Sequence, residues 1–149
     1  MSNQKNNQKG IVKQMKVTPF LTKVLSDSLM KAKAAKHEFF TPEHILYQTL
    51  QDKKICEILK DTGCQVEQLK SNLLSYLETQ VPVISDQANS ELIQTPVESV
   101  GFQSVMNRAV FNCVSSESDV IDISDVLVSM YDETNNYCSY YMKTSGIEK

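Results

Sequence analysis

The chain has 149 residues, 41% of them apolar or aromatic and 22% charged, a balance that supports one packed core and excludes disorder over most of the length. No apolar run is long enough for a membrane-spanning helix, and the polar N-terminus lacks the apolar segment of a signal peptide. Net charge is −3, yet Lys5, Lys9, Lys13 and Lys16 stand in residues 1–17 without an acid, so the body is acidic and argues against nucleic acid as a partner.

In chain order, residues 1–17 are rich in Asn, Gln and Lys and predict a disordered basic tail; four scattered lysines make no dense nucleic-acid grip. Thr18-Pro19 supplies a cap and a first-turn proline, and Phe20, Leu21, Val24, Leu25, Leu29, Ala32 and Ala35 then mark one face of a helix. Thr41-Pro42 opens a second helix, with Glu43 suited to the dipole of its first turn and Ile45, Leu46, Thr49 and Leu50 inward. A third helix is predicted over 54–62, with Ile55, Ile58 and Leu59 inward and Gly63 as its stop. Val66, Leu69, Leu73, Leu74 and Leu77 form the stripe of a fourth. Residues 80–98 have two prolines and no period, and read as a linker across the surface. No stretch alternates long enough to predict a strand.

The pattern then returns. Adding 81 takes Leu21 to Phe102, Val24 to Val105, Ala32 to Cys113, Phe40-Thr41 to Ile121-Asp122 and Ile45-Leu46 to Val126-Leu127. After two inserted residues, an offset of 83 takes Ile55 to Cys138, Leu59 to Met142 and Thr62-Gly63 to Ser145-Gly146. Stripes, caps and stops all agree, so the chain reads as a tandem repeat of a four-helix motif packed about a pseudo-twofold axis. The expected fold is all-α: repeat one over 18–79, the linker over 80–98, and repeat two over 99–149, truncated before its last helix. Val66 maps onto residue 149, which is natural for an excised piece of a longer protein.

Cys56, Cys64, Cys113 and Cys138 include no C-x-x-C pair, a spacing that argues against a zinc knuckle or a thioredoxin-type site. Cys113 and Cys138 fall on core positions of the repeat and are expected to be buried and reduced, in a cytoplasmic compartment. His37-Glu38 and Glu43-His44 suggest acid–base or metal chemistry, but the histidines are seven apart with a helix starting between them, unlike H-E-x-x-H. No catalytic residue, metal site or cofactor is expected. Core packing is the favoured reading of Met130, Tyr131, Tyr141 and Met142, with Tyr137 and Tyr140 as an exposed pair.

The segment HEFFTPEHILYQTL, residues 37–50, resembles the H-E-F-x-T-x-E-H-L-L signature of the Clp N-terminal domain, the double four-helix repeat at the front of Clp-type AAA+ unfoldases. Residues 102–111 are similar to the F-Q-x-V-x-x-R-A-V-F run of the ClpA branch, and residues 126–133 to its V-L-V-A-I-F-S-E. The resemblance covers residues 18–149. It implies a non-catalytic domain that docks a ClpS-type adaptor and substrate polypeptides for an unfoldase acting with the ClpP protease. The adaptor-facing positions it carries over are Glu38 and Arg108, with Ser99 at the start of the fifth helix. Ser104 departs from the basic or glutamine residue common there, so a salt bridge at that position is lost. No G-x-x-x-x-G-K-[ST] loop occurs, so the ATPase ring and ClpP belong to a parent protein, and the domain alone is expected to be a monomer with no nucleic-acid or membrane partner. The rival reading is a free-standing peptide-binding or regulatory protein without an ATPase.

Overall fold

The computed structural model describes residues 15–84, 95–134 and 136–147. Its elements are β1 (Lys16–Val17), α1 (Pro19–Ala34), β2 (Phe39–Phe40), α2 (Pro42–Thr49), α3 (Lys53–Asp61), α4 (Val66–Thr79), β3 (Val97–Glu98), α5 (Val100–Ser115), β4 (Val120–Ile121), α6 (Ile123–Asp132) and α7 (Tyr137–Thr144). The helix starts follow from their caps. Thr18 Oγ1 accepts the Leu21 N–H at 3.3 Å, Asp52 Oδ1 that of Ile55 at 3.1 Å, and Ser99 Oγ that of Phe102 at 3.0 Å. Each satisfies a donor that the first helical turn leaves unpaired.

The repeat offset holds in the backbone as well as in the side chains. α1 and α5 end alike: Lys36 and Glu117, 81 apart, both take positive φ, at 58° and 59°. The N–H groups of the next residues, His37 and Ser118, return to the carbonyls of Ala32 and Cys113 at 3.0 and 2.8 Å. This is a helix end closed by a left-handed residue, built without the usual glycine. α3 and α7 end on Gly63 and Gly146, with φ of 94° and 98°.

The strands, which the sequence did not predict, hold the two copies together. β1 pairs in parallel with β4, Lys16 beside Val120, and β2 pairs in parallel with β3, Phe39 beside Val97. Adding 81 to Lys16 and subtracting it from Val120 yields the other ladder, so the pairs are mates under the pseudo-twofold. Two residues are too few for alternation to show in a sequence. The pairing also corrects two boundaries. The tail expected over 1–17 gives way to structure at Met15, with Lys16–Val17 in a ladder; residues 1–14 lie outside the described residues. The linker expected over 80–98 is tied down at both ends, by the bridge of Val83 to His37 and by β3, while its residues 85–94 lie outside the described residues.

One core serves both copies: Leu21, Ile45, Leu46, Leu69 and Leu73 are buried with Val105, Ala109, Val126, Met130 and Cys138. Each large aliphatic there contributes roughly 1.5–3 kcal/mol relative to exposure. Cys113 and Cys138 are buried free thiols, as expected, and Met130 and Met142 are buried beside them in the core. Tyr131 and Tyr141, expected in the core, are only half-buried against it. Ile58, expected inward, is 62% exposed, and α3 buries no residue fully. Seven helices are present among the described residues, four in the first copy and three in the second.

Candidate adaptor-docking face

β2 and the start of α5 form the region that carries two of the three sequence-derived positions. Glu38 precedes β2, its backbone N–H donating to Pro82 O at 2.8 Å and its carbonyl accepting the Val97 N–H at 2.9 Å. Its side chain is exposed. Ser99 follows β3, and its N–H donates to Phe40 O at 3.0 Å. The ladder therefore brings Glu38 and Ser99 to one edge of the molecule. Ser99 Oγ is already engaged as the α5 cap.

Arg108 stands apart. It lies nine residues beyond Ser99, two and a half helical turns, which is roughly 13 Å along α5 and on the opposite side of its axis. Its guanidinium donates to Glu133 Oε2 at 3.3 Å, with the Arg108 side chain 42% exposed and that of Glu133 15%. Glu133 was not singled out in the sequence, because nothing in linear spacing joins residues 25 apart on two helices. Ser104 is half-buried on α5.

Ser99 borders a cleft of about 500 Å³ whose walls include Thr41, Glu43, Tyr76, Gly101, Tyr137 and Tyr140. Tyr137 and Tyr140 are exposed, as expected. Tyr76 of α4 packs on Tyr137 and Tyr141 at ring-centroid distances of 5.0 and 6.4 Å. Its place one residue before Leu77, at the edge of the leucine stripe, is the only sequence signal for that role.

Glu43 sits at the back of this cleft and is buried. The sequence placed it in the first turn of α2, where it stands, but its carboxylate serves another helix. Oε2 accepts the N–H groups of Tyr137 at 2.9 Å and Cys138 at 3.2 Å, and faces Cys138 Sγ at 3.5 Å. A carboxylate from repeat one thus caps the last helix of repeat two, and Asn136 completes the cap by accepting the Ser139 N–H. Burial raises the Glu43 carboxyl above its ordinary range, opposed by these hydrogen bonds. Burial, then the nearby carboxylate, pushes the Cys138 thiol well up, which makes it inert.

The two histidines meet: His37 Nδ1 and His44 Nε2 are 2.8 Å apart. His44 stands at the third position of α2, and its Nδ1 accepts the Thr41 N–H at 3.0 Å, while Thr41 Oγ1 accepts the His44 N–H at 3.4 Å. This is a capping box with imidazole in the place usual for Glu or Gln. Because Nδ1 accepts, the network assigns the proton to Nε2, which donates to His37. Burial and then the His37 charge pull His44 down to about 4, so the pair is neutral at pH 7. Among the described residues no group of three or more His, Cys, Asp or Glu side chains converges to hold a metal. None of their helices is long and apolar enough to cross a membrane.

Two helical repeats joined by parallel two-residue ladders define a fold of the double Clp-repeat class. Residues 16–145 match the model of the Clp repeat (R) N-terminal domain, and the chain belongs to that family. It is 24% identical over 130 residues to the ClpA homolog protein of Fuscovulum blasticum, covering 87% of this chain and 16% of that relative's length. In fold it is similar to the Hsp104 N-terminal domain from Candida albicans, with TM-score 0.73 and 13% identity over 89% of this chain and 83% of that one. A chain from preliminary structural investigations of a malarial protein secretion system is also similar, with TM-score 0.69 and 16% identity over 87% and 84%.

Proposed function

We propose that this chain acts as the recognition domain of a ClpA-like ATP-dependent unfoldase. It is non-catalytic in this reading, and it docks a ClpS-type adaptor and substrate polypeptides for unfolding and degradation by ClpP. The ATPase ring and ClpP act through the parent protein, and a flexible tether to the ring raises the adaptor's effective concentration near the pore. The reading rests chiefly on one observation: Glu38 and Ser99, far apart in sequence, are brought to one edge of the molecule by the β2–β3 ladder. Arg108 joins from the far side of α5 as a second anchor, provided it exchanges Glu133 for a carboxylate of the partner.

The test is titration calorimetry of the chain with a ClpS-type adaptor. Glu38→Ala and Arg108→Ala are each expected to weaken binding, by roughly 0.2–1 kcal/mol for a rim contact and about 2–5 kcal/mol for a desolvated one. Unchanged affinity in both variants, with folding intact, would mean that the adaptor docks elsewhere. Ser99→Ala is less informative, since loss of the α5 cap by itself costs about 1 kcal/mol.

A further inference from the structure

α5 is buried along one side and open along the other. With roughly 100° of turn per residue and Ser99 as zero, its buried residues Phe102, Val105, Ala109 and Cys113 centre on about 285° and face the core. Opposite them, at roughly 60–120°, stand Val100, Asn107, Phe111 and Val114. Val100 is 73% exposed, Phe111 68% and Val114 48%. The repeat does not bury this face in either copy. On α1, the mate of α5, Met30 stands where α5 has Phe111, and it is 65% exposed. The two outer faces differ in charge. α1 carries Lys23, Asp27, Lys31 and Lys33, the charges of an ordinary solvated helix. α5 carries Arg108 alone among its 16 residues, on a body that is otherwise acidic. An exposed aromatic among uncharged side chains is the composition of an interface centre, where charge is depleted and aromatic residues are enriched.

We propose that the outer face of α5 is the centre of the adaptor interface, with Phe111 and Val100 as its apolar anchors. This assignment rests on the adaptor reading above and supplies what that reading lacks, a surface joining two positions that point apart. Arg108 lies at about 180° from Ser99 around the helix. One way round from Ser99 to Arg108 runs through the core, so a partner that touches both crosses the other way, over Val100, Asn107 and Phe111. Val100 adjoins Ser99 and the Glu38 edge, while Phe111 follows Arg108 by less than one turn. The two anchors are eleven residues apart, about 16 Å along the axis, which fits inside an interface of about 800 Å² per partner. The charges at its margins are opposite: the exposed Glu38 carboxylate at one and the half-exposed Arg108 guanidinium at the other. The partner this surface fits is therefore an adaptor that presents an apolar patch with a basic side chain at one margin and a carboxylate at the other. Burial at the centre comes from the apolar anchors, and the flanking charges set the orientation.

The experiment is calorimetric titration of the full chain with a ClpS-type adaptor. Phe111→Ser is expected to weaken binding about tenfold or more, and Val100→Ser severalfold, as the loss of a buried apolar anchor does. Both side chains are exposed in the free chain, so folding survives, as urea unfolding would verify. Met30→Ser, at the matching position of α1, is expected to leave the affinity unchanged. Binding that responds to Glu38→Ala or Arg108→Ala but not to Phe111→Ser and Val100→Ser would overturn this proposal and leave the adaptor reading standing. Absence of binding by the unmodified chain would overturn both. A dimer of the free chain in sedimentation velocity, lost in Phe111→Ser, would assign the face to a second copy and equally overturn the proposal.

Discussion

His44 illustrates how a single buried side chain makes stability depend on pH. Its folded form titrates at about 4, against an ordinary value of 6.5. Between those values the unfolded chain binds more protons, so stability falls as pH falls through that window. Between about pH 7.5 and about pH 5 the loss is roughly 2 kcal/mol for this residue, and His37, lowered by burial, acts in the same direction. Glu43 acts with the opposite sign. Its raised carboxyl contributes most below the unfolded carboxyl value, and that contribution is lost as pH rises through its folded value. Urea unfolding across pH should therefore show a steep acid limb in the native chain. His44→Gln, which keeps a capping-box side chain, is expected to flatten it; an unaltered limb would show that other groups carry the dependence. Glu43→Ala is expected to cost about 2–3 kcal/mol, because two N–H donors of α7 lose their acceptor. Glu43→Gln, which retains an oxygen, should cost less than half as much in the same measurement.

At the scale of elements, the helix ends are near copies of one another, and the differences between them are testable. Gly63 and Gly146 both hold a left-handed backbone, but their surroundings differ. A Cβ on Gly63 would meet nothing within 4 Å, whereas one on Gly146 would stand 3.2 Å from the Gly63 carbonyl oxygen. Gly63→Ala is expected to cost roughly 1–2 kcal/mol from backbone strain alone. Gly146→Ala adds a tight contact with backbone of the other repeat and should cost more in denaturant titration; equal costs would show that the loops yield freely. Glu117 occupies the corresponding left-handed position after α5 with a side chain, so Glu117→Gly should stabilise by about 0.5–1 kcal/mol. These ends were legible in the sequence for a physical reason. Caps and stops are local, and Thr18, Thr41, Gly63 and Gly146 act within one turn of where they stand.

At the scale of the whole molecule, neither repeat is complete by itself. Each ladder takes one strand from each copy, Thr18 Oγ1 donates to Asp122 Oδ1 at 2.7 Å, and Gln65 N–H donates to Ser145 O at 2.9 Å. With the Glu43 cap, these ties cross the pseudo-twofold at several points. Fragments 15–84 and 95–147 are therefore each expected to lack cooperative helical unfolding by circular dichroism, and to regain it when mixed. An independently folded fragment would refute this view of the interface. Cys138 lies at the junction and is fully buried, whereas Cys56 is half-buried. Thiol labelling under native conditions should reach Cys56 first, with Cys138 reacting only as fast as the molecule opens globally.

What the sequence by itself determined was everything governed by short-range periodicity. The apolar stripes three and four residues apart, the caps before them and the glycines after them specify seven helices, and their recurrence at 81 and 83 specifies two copies of one motif. The family motif at residues 37–50 was legible for the same reason, being local. Only the tertiary structure decided how the copies meet. Two-residue strands carry no period of their own, and their pairing depends on a partner some 60 to 100 residues away. The destination of the Glu43 carboxylate, the contact of His37 with His44 and the pairing of Arg108 with Glu133 are likewise set by helices converging in space. The exposure of Ile58 follows from the same cause: its stripe reads as buried, but a stripe is buried only where another element covers it, and none among the described residues covers Ile58.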